Sequence, residues 1–393
     1  MNDSRKATIA YDPVLLAAIF GLVGFGLVMV YSSSAITAQD KLGDGFFFLK
    51  RQAFAAALGL VAMAVSMKLG YRRMARLAYP LLVIAVILLI AVLIPGVGTK
   101  VGGAKRWIRF PGVSIQPAEI AKVAWVIYLS YSLAKKREKV QHFSIGFLPH
   151  LGIAGFLVIL CMLEPDFGSS VALLFLMFVM LFAAGAKLSW LVGSVLLAIP
   201  FAYTAIATSE YRMKRITAFL DPWANRQGSG YQVAESLMSI GSGGVSGLGL
   251  GDGRQKLFFL PEAHTDFIFA IIGEELGLLG VAALISLYGL VIWRGIRASL
   301  NATEPFGTYL GLGITALIGF QAVVNMSVAM GLVPTKGLTL PFISYGGSSL
   351  IMLMGAAGLL LSISGAADGG KNRAKAVKVT KADLPMGGAE VTA

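Results

Sequence analysis

Only 13% of the 393 residues are charged, there are three histidines and a single cysteine, and strand-type alternation of apolar and polar residues is lacking. Each shortage closes off a class. Low charge, 56% apolar residues and a mean hydropathy of +0.77 exclude a water-soluble domain of this length. Cys161, alone and inside an apolar run, excludes a disulfide framework and a thiolate metal site. Without barrel-type alternation, the membrane-spanning solution left is the helix, which satisfies its backbone groups within each segment.

What is present is a succession of apolar runs, about ten, centred in 13–31, 53–67, 77–94, 118–133, 143–163, 167–186, 188–207, 266–293, 306–333 and 340–363. Runs of this kind cross roughly 30 Å of hydrocarbon at about 1.5 Å per residue, although the second is short. The expected fold is all-α: a polytopic membrane protein of about ten transmembrane helices, with a large outer loop between helices seven and eight. Residues 1–12 form a short N-terminal segment and 13–365 the membrane domain, with the large loop at 208–265. The tail 366–393, with Lys371, Arg373, Lys375, Lys378 and Lys381 among small residues, reads as disordered and drawn to anionic lipid.

Orientation follows from basic residues in short loops. Lys68, Arg72, Arg73 and Arg76 after the second run, and Lys135, Lys136, Arg137 and Lys139 after the fourth, place both loops and both termini in the cytoplasm. That topology leaves many cations outside, including Lys105, Arg106, Arg109, Arg212, Arg215 and Lys336. Long loops translocate regardless of charge, which is one explanation. The other is an anion held at the outer leaflet, since clustered cations in a partly dehydrated cleft bind phosphate groups.

Several polar groups stand at the mouths of apolar runs. Asp266, in LPEAHTDFIFA at 260–270, sits where the long loop enters the eighth run; either it or Thr265 is the N-cap, or Asp266 is a functional carboxylate. His264 beside it either tunes that carboxylate or faces water. Glu274 and Glu275 lie two turns deeper and call for a partner such as Lys122 or Arg106. Glu119 and Lys122, three apart, share a helical face as an intrahelical pair or line an interior cavity. Asp166, after Glu164 and Pro165, is positioned to cap the sixth helix. Residues 231–240 have the spacing of a surface helix on the membrane, and the glycines of 241–251 lack the strand that a dinucleotide fingerprint needs, so they make a close-packed or mobile loop. Ser344 opens a Gly- and Ser-rich stretch that suits helix packing or a lipid or sugar groove.

The strings HTDFIF at 264–269, FLDPWANRQGSGYQ at 219–232 and TKGLTLPFISYGGSS at 335–349 closely resemble the SEDS family of cell-wall glycosyltransferases, and the likeness covers nearly the whole chain. PTKGLTLP at 334–341 favours its division-associated branch over the elongation-associated one. The resemblance implies polymerisation of lipid II into glycan strands on the outer face of the cytoplasmic membrane, at the division septum, with undecaprenyl pyrophosphate leaving. It implies Asp266 as general base of one inverting displacement. Lys105, Arg106, Arg109, Arg212 and Arg215 are expected at the pyrophosphates, with Glu119, Lys122, His264, Lys336 and Ser344 as further substrate contacts. No tightly bound cofactor or protein metal cage is expected, and any Mg or Mn would ride on the substrate phosphates. The implied partners are a class B penicillin-binding protein, other divisome membrane proteins, lipid II and membrane lipids; nucleic acid is not among them. A lipid II flippase and a non-catalytic division scaffold are the rival readings.

Overall fold

The first apolar run becomes α1 (Pro13–Leu42) because both of its ends are specified locally. Asp12 accepts from the amides of Val14 and Leu15 at 3.0 and 3.1 Å, Pro13 opens the first turn, and Gly43 leaves the helix at φ 72°. There follow α2 (Phe47–Leu69), α3 (Tyr71–Leu93), α4 (Pro117–Lys136), α5 (Leu148–Leu163), α6 (Phe167–Ala183) and α7 (Leu188–Ala207). The second half holds α8 (Glu210–Leu220), α9 (Tyr231–Gly243), α10 (Ile268–Leu300), α11 (Pro305–Ala329) and α12 (Gly347–Ala382). This computed structural model describes residues 11–101, 104–110, 113–208, 210–228, 230–254, 260, 263–335 and 337–382, with side chains except at 100, 101, 104, 110, 113, 201, 202, 205, 206, 211, 212 and 367–382.

Each of the ten apolar runs overlaps a helix, the last of them only from Gly347 onward. By length and composition, however, seven stretches among the described residues suffice to cross a membrane: α1, α2, α3, 143–163, α10, α11 and 347–366. The helices α6 and α7 have shorter apolar stretches, and α4 carries the buried charges of Glu119 and Lys122. The chain is a polytopic helical membrane protein. Val61 and Ile87, on α2 and α3, are 60% and 58% exposed, as lipid-facing side chains are. Small residues bring α2 and α12 together: a Cβ on Gly59 would lie 2.4 Å from Met354 Sδ, and one on Gly358 2.4 Å from the Met63 carbonyl oxygen.

Four features depart from the helical expectation. Three short strands, β1 (Gly98–Val101), β2 (Ala104–Phe110) and β3 (Val113–Ile115), form an antiparallel sheet in the order β1-β2-β3, with an irregularity between Thr99 and Lys100. The second departure is α9, which is no surface helix: Val233, Ala234, Glu235, Ser236 and Ser239 are buried. Ser236 donates to the Ala329 carbonyl at 2.7 Å, and buried Glu235 pairs with Arg226 at 3.1 Å. Thirdly, α10 breaks at Gly277, whose φ of 61° and ψ of −162° interrupt the helical ladder.

The glycine loop after α9 fills that break. Leu248 and Gly249 donate amides to the carbonyls of Glu274 and Glu275, while Leu278 and Leu279 donate to Gly244 and Val245. Backbone groups freed by the kink are thus satisfied inside the protein, as a membrane interior requires. Only glycine permits this approach, since a Cβ on Gly277 would stand 2.3 Å from the Gly247 amide nitrogen. The loop at 241–251 is therefore close-packed. Lastly, α12 continues as helix to Ala382, where a disordered tail was expected from 366; residues 383–393 lie outside the described residues.

Candidate active site at the mouth of the bundle

The segment bearing Asp266 is a run of turns at 263–267 ahead of α10, and Phe267, not Thr265 or Asp266, occupies the N-cap position, without a side-chain cap bond. A second irregular segment, 337–346, between α11 and α12, folds onto it. The Ser344 hydroxyl donates to the Thr265 carbonyl at 2.6 Å and accepts from the Leu340 amide at 2.9 Å. The Tyr345 amide donates to the His264 carbonyl at 2.9 Å. From α11, the Asn325 amide nitrogen donates to the carbonyls of Asp266 and Leu338 at 2.9 and 2.7 Å, locking the two segments together. From α2, Gln52 does the same at the far end: its Nε2 donates to the Ser344 carbonyl at 3.1 Å, and its Oε1 accepts from the Gly346 amide. The His264 ring lies against Phe48 and Tyr345, with centroids at 4.4 and 5.5 Å, so it belongs to an aromatic cluster.

Arg106 reaches this place from β2. Its Nε donates to the Glu164 carbonyl at 3.2 Å and its Nη2 to the Pro165 carbonyl, which leaves Nη1 directed elsewhere. A Cβ built on Gly337 would meet Asp266 Oδ2 at 3.4 Å and Arg106 Nη1 at 3.9 Å. The carboxylate and the guanidinium therefore converge on one glycine. Strand alternation separates the other β2 cations from this point: Arg106 and buried Ile108 share a face, while Lys105 and Arg109 are exposed on the opposite one. Across the mouth, α8 brings Arg215, whose Nη1 donates to the Thr335 carbonyl at 2.9 Å, two residues before Gly337. Lys336 and the side chain of Arg212 lie outside the described residues.

Beneath this mouth, Lys122 and Glu119 form a buried ion pair at 2.6 Å, with side chains 0% and 6% exposed. Ser349 donates to Glu119 Oε2 at 3.2 Å and shares a hydrogen bond with Thr339 at 3.0 Å. The pair is thereby wired to the 337–346 segment. Asp166 caps α6, accepting from the Ser169 amide at 3.1 Å and its hydroxyl at 2.8 Å, and also takes the Gln116 side-chain amide at 3.2 Å. Glu164, beside it, is fully buried, and burial, then the neighbouring Asp166, push its carboxyl up to about 8 against the pull of Arg106.

The hydrogen bonds of Glu274 and Glu275 among the described residues run to groups other than the expected Lys122 or Arg106. Both glutamates are buried at the kink of α10, where the Arg254 amide donates to Glu274 Oε1 at 2.6 Å, Ser239 reaches Glu274 Oε2, and Ser32 on α1 donates to Glu275. The reason is direction: these carboxylates face α9, the glycine loop and α1. Sequence reasoning singled out neither Asn325, Gln52, Gly337 nor the buried state of Glu164. An amide side chain inside an apolar run was the available signal for the first two; the others had none. Among the described residues, no group of three or more His, Cys, Asp or Glu could hold a metal ion.

The family model of the cell cycle proteins FtsW, RodA and SpoVE matches residues 13–368. A protein of Geobacter metallireducens named probable peptidoglycan glycosyltransferase FtsW is 48% identical over 354 residues, 90% of this chain and 94% of that one. The stage V sporulation protein E of Bacillus subtilis is 42% identical over 90% of this chain and 96% of its own. Among solved structures, a chain from work on the structural coordination of polymerization and crosslinking by a peptidoglycan synthase complex superposes with a TM-score of 0.75 at 32% identity, covering 90% of this chain and 98% of that one. The helical bundle, the match over nearly all of it and these identities make one conclusion plain: the chain belongs to the FtsW, RodA and SpoVE family of cell cycle proteins.

Proposed function

We propose that this protein is a peptidoglycan glycosyltransferase of the division-associated branch, polymerising lipid II at the outer mouth of its helical bundle. The observation that carries the reading is the convergence of the Asp266 carboxylate and the Arg106 guanidinium on Gly337. The reaction needs little else from the protein. One positioned base takes a proton from the acceptor sugar hydroxyl as it attacks the donor's anomeric carbon, and cations stabilise the departing diphosphate. Asp266 is the base; the bond to the diphosphate breaks as the glycosidic bond forms, and the anomeric configuration inverts. Arg106 and Arg215 supply positive charge at the mouth; Arg212 and Lys336 are further diphosphate contacts in this reading, and Lys105 and Arg109 add to the positive field of the outer face.

The Geobacter metallireducens protein named probable peptidoglycan glycosyltransferase FtsW, at 48% identity, supports the activity. A wholly apolar cleft between α6 and α7, lined by Phe178, Leu191, Val192, Val195 and Leu196, suits a polyprenyl chain. One carboxylate among guanidinium groups and backbone carbonyls is a poor resident metal site. A Mg or Mn ion would arrive on the substrate phosphates, and no step is assigned to it. Glu119, Lys122, His264 and Ser344 act from beneath, holding the segments that carry Asp266 and Gly337. The partner is a class B penicillin-binding protein at the septum, by likeness to the synthase complex, and both termini face the cytoplasm.

The test is purified protein on lipid II, alone and with that partner, comparing the unaltered chain with Asp266→Asn in verified folded form. Loss of a general base should lower the rate by about 10²- to 10⁴-fold. Undiminished polymerisation by Asp266→Asn would remove the base from the mechanism, and lipid II movement across vesicles without polymer would favour a carrier.

A further inference from the structure

The turn joining α5 to α6 holds a carboxyl group that the chemistry above does not use. Glu164 is 0% exposed, and neither of its carboxyl oxygens has a hydrogen-bond partner among the described residues. Its backbone carbonyl, with that of Pro165, is what grips Arg106. Burying an ionised carboxylate with no donor is costly, so such a group keeps its proton.

The surrounding charges bear this out. Arg106 approaches from β2 and favours ionisation, while Asp166 in the same turn opposes it. Asp166 is already committed to Ser169 and to Gln116 ahead of α4. The Cys161 thiol on α5 is near enough to feel both carboxylates and Lys122 on α4, but Lys122 is bound to Glu119. Burial outweighs the rest, and the group titrates at about 8.

We propose that Glu164 is a positioning residue that sets how much of the Arg106 charge is available to a diphosphate at the mouth. Protonated, it leaves Arg106 without a counter-charge on its inner side, so the guanidinium's charge is directed outward toward Asp266 and Gly337. Ionised, it draws that charge back into the protein and weakens the anion's hold. The inference rests on Arg106 as a diphosphate-binding group, and a bound diphosphate in turn favours the protonated form. Binding and proton uptake are therefore linked.

The experiment uses the full chain in lipid nanodiscs and inorganic pyrophosphate as the probe. Dissociation constants are measured from about pH 7 to about pH 9 for the unaltered protein, Glu164→Gln and Glu164→Asp. The probe's own ionisation is common to all three and cancels in the comparison. The unaltered protein should lose at least about tenfold more affinity over that range than Glu164→Gln, because a unit charge within about 12 Å of the probe is worth about 1.4 kcal/mol or more, a tenfold change, at an effective dielectric constant near 20. Glu164→Asp, which keeps an ionisable group, should restore a pH-dependent loss. Parallel curves for the unaltered protein and Glu164→Gln would overturn the proposal.

Should Glu164→Gln fail to fold, the unaltered protein answers by infrared difference spectroscopy. A protonated-carboxyl band that vanishes as pH rises through about 8, and whose loss moves to higher pH with pyrophosphate, is the expected result; a band insensitive to pyrophosphate would overturn it. Absence of polymer from lipid II would sink the proposed activity while leaving these binding measurements valid. Polymerase activity with parallel binding curves would sink only the role of Glu164.

Discussion

Asp266 and Arg106, 160 positions apart in the chain, present their charged ends to the same face of Gly337. Neither segment is regular there: Asp266 stands in a turn before α10 and Gly337 in the irregular stretch after α11, and only Arg106 comes from a strand. A glycine between two opposite charges leaves room for a third group. In the proposed reaction that room belongs to the acceptor hydroxyl and the leaving diphosphate.

Gly337→Ala tests the room directly. The added methyl would make ordinary contacts, at 3.4 Å from Asp266 Oδ2 and 3.9 Å from Arg106 Nη1, so the fold should tolerate it. Filling the gap should nonetheless lower kcat/KM on lipid II on the order of tenfold. An unchanged thermal melt with reduced glycan synthesis is the expected pair of results.

Asn325 offers a sharper test of how Asp266 is held. Its amide nitrogen donates to the carbonyls of Asp266 and Leu338, and the residue is buried. Asn325→Ala leaves two acceptors without a donor, at a cost of about 1–3 kcal/mol each. Asn325→Asp is expected to be worse at neutral pH, since it sets a carboxylate against the same two carbonyls. Denaturation in detergent should rank the unaltered protein above Asn325→Ala, and that variant above Asn325→Asp.

The Lys122–Glu119 pair predicts a non-additive result. With both side chains nearly inaccessible, Lys122→Met strands a buried carboxylate and should cost about 3–5 kcal/mol. Glu119→Gln combined with Lys122→Met removes both charges and should recover much of that loss. A double-mutant cycle on unfolding free energy measures the coupling.

Stability should also depend on pH through Glu164. Its carboxyl is raised from 4.5 to about 8 in the folded protein, so the folded state holds a proton that the unfolded chain releases. Its stabilising contribution is complete below 4.5 and is lost as pH rises to about 8. The melting temperature of the unaltered protein should fall over that window relative to Glu164→Gln, and identical pH profiles would contradict the assignment.

Much of the bundle was legible before any coordinates. Each of the ten apolar runs overlaps a helix, Asp166 caps where it precedes an apolar run, and the i,i+3 spacing of Glu119 and Lys122 is an ion pair. These are local matters of hydropathy, spacing and capping. The sheet at 98–115 was missed because its strands are only three to seven residues long and lie among glycines and cations. The burial of α9 was missed for another reason. Val233, Leu237 and Ile240 describe one apolar stripe, and nothing in that stripe announces that Ser236, Ser239 and Glu235 find partners on α11, α10 and in the loop ahead of α9.

Hydropathy, an Asp at the mouth of an apolar run and a few motif strings were enough to say that this chain is a helical membrane protein and to single out Asp266. Three-dimensional packing alone decided which cation stands beside it. Arg106 faces Asp266 while Lys105 and Arg109 turn away because strand alternation and the carbonyls of Glu164 and Pro165 orient it. Composition reports the cost of burying a group; which partner offsets that cost depends on contacts between residues far apart in the chain, and those exist only once the helices have packed.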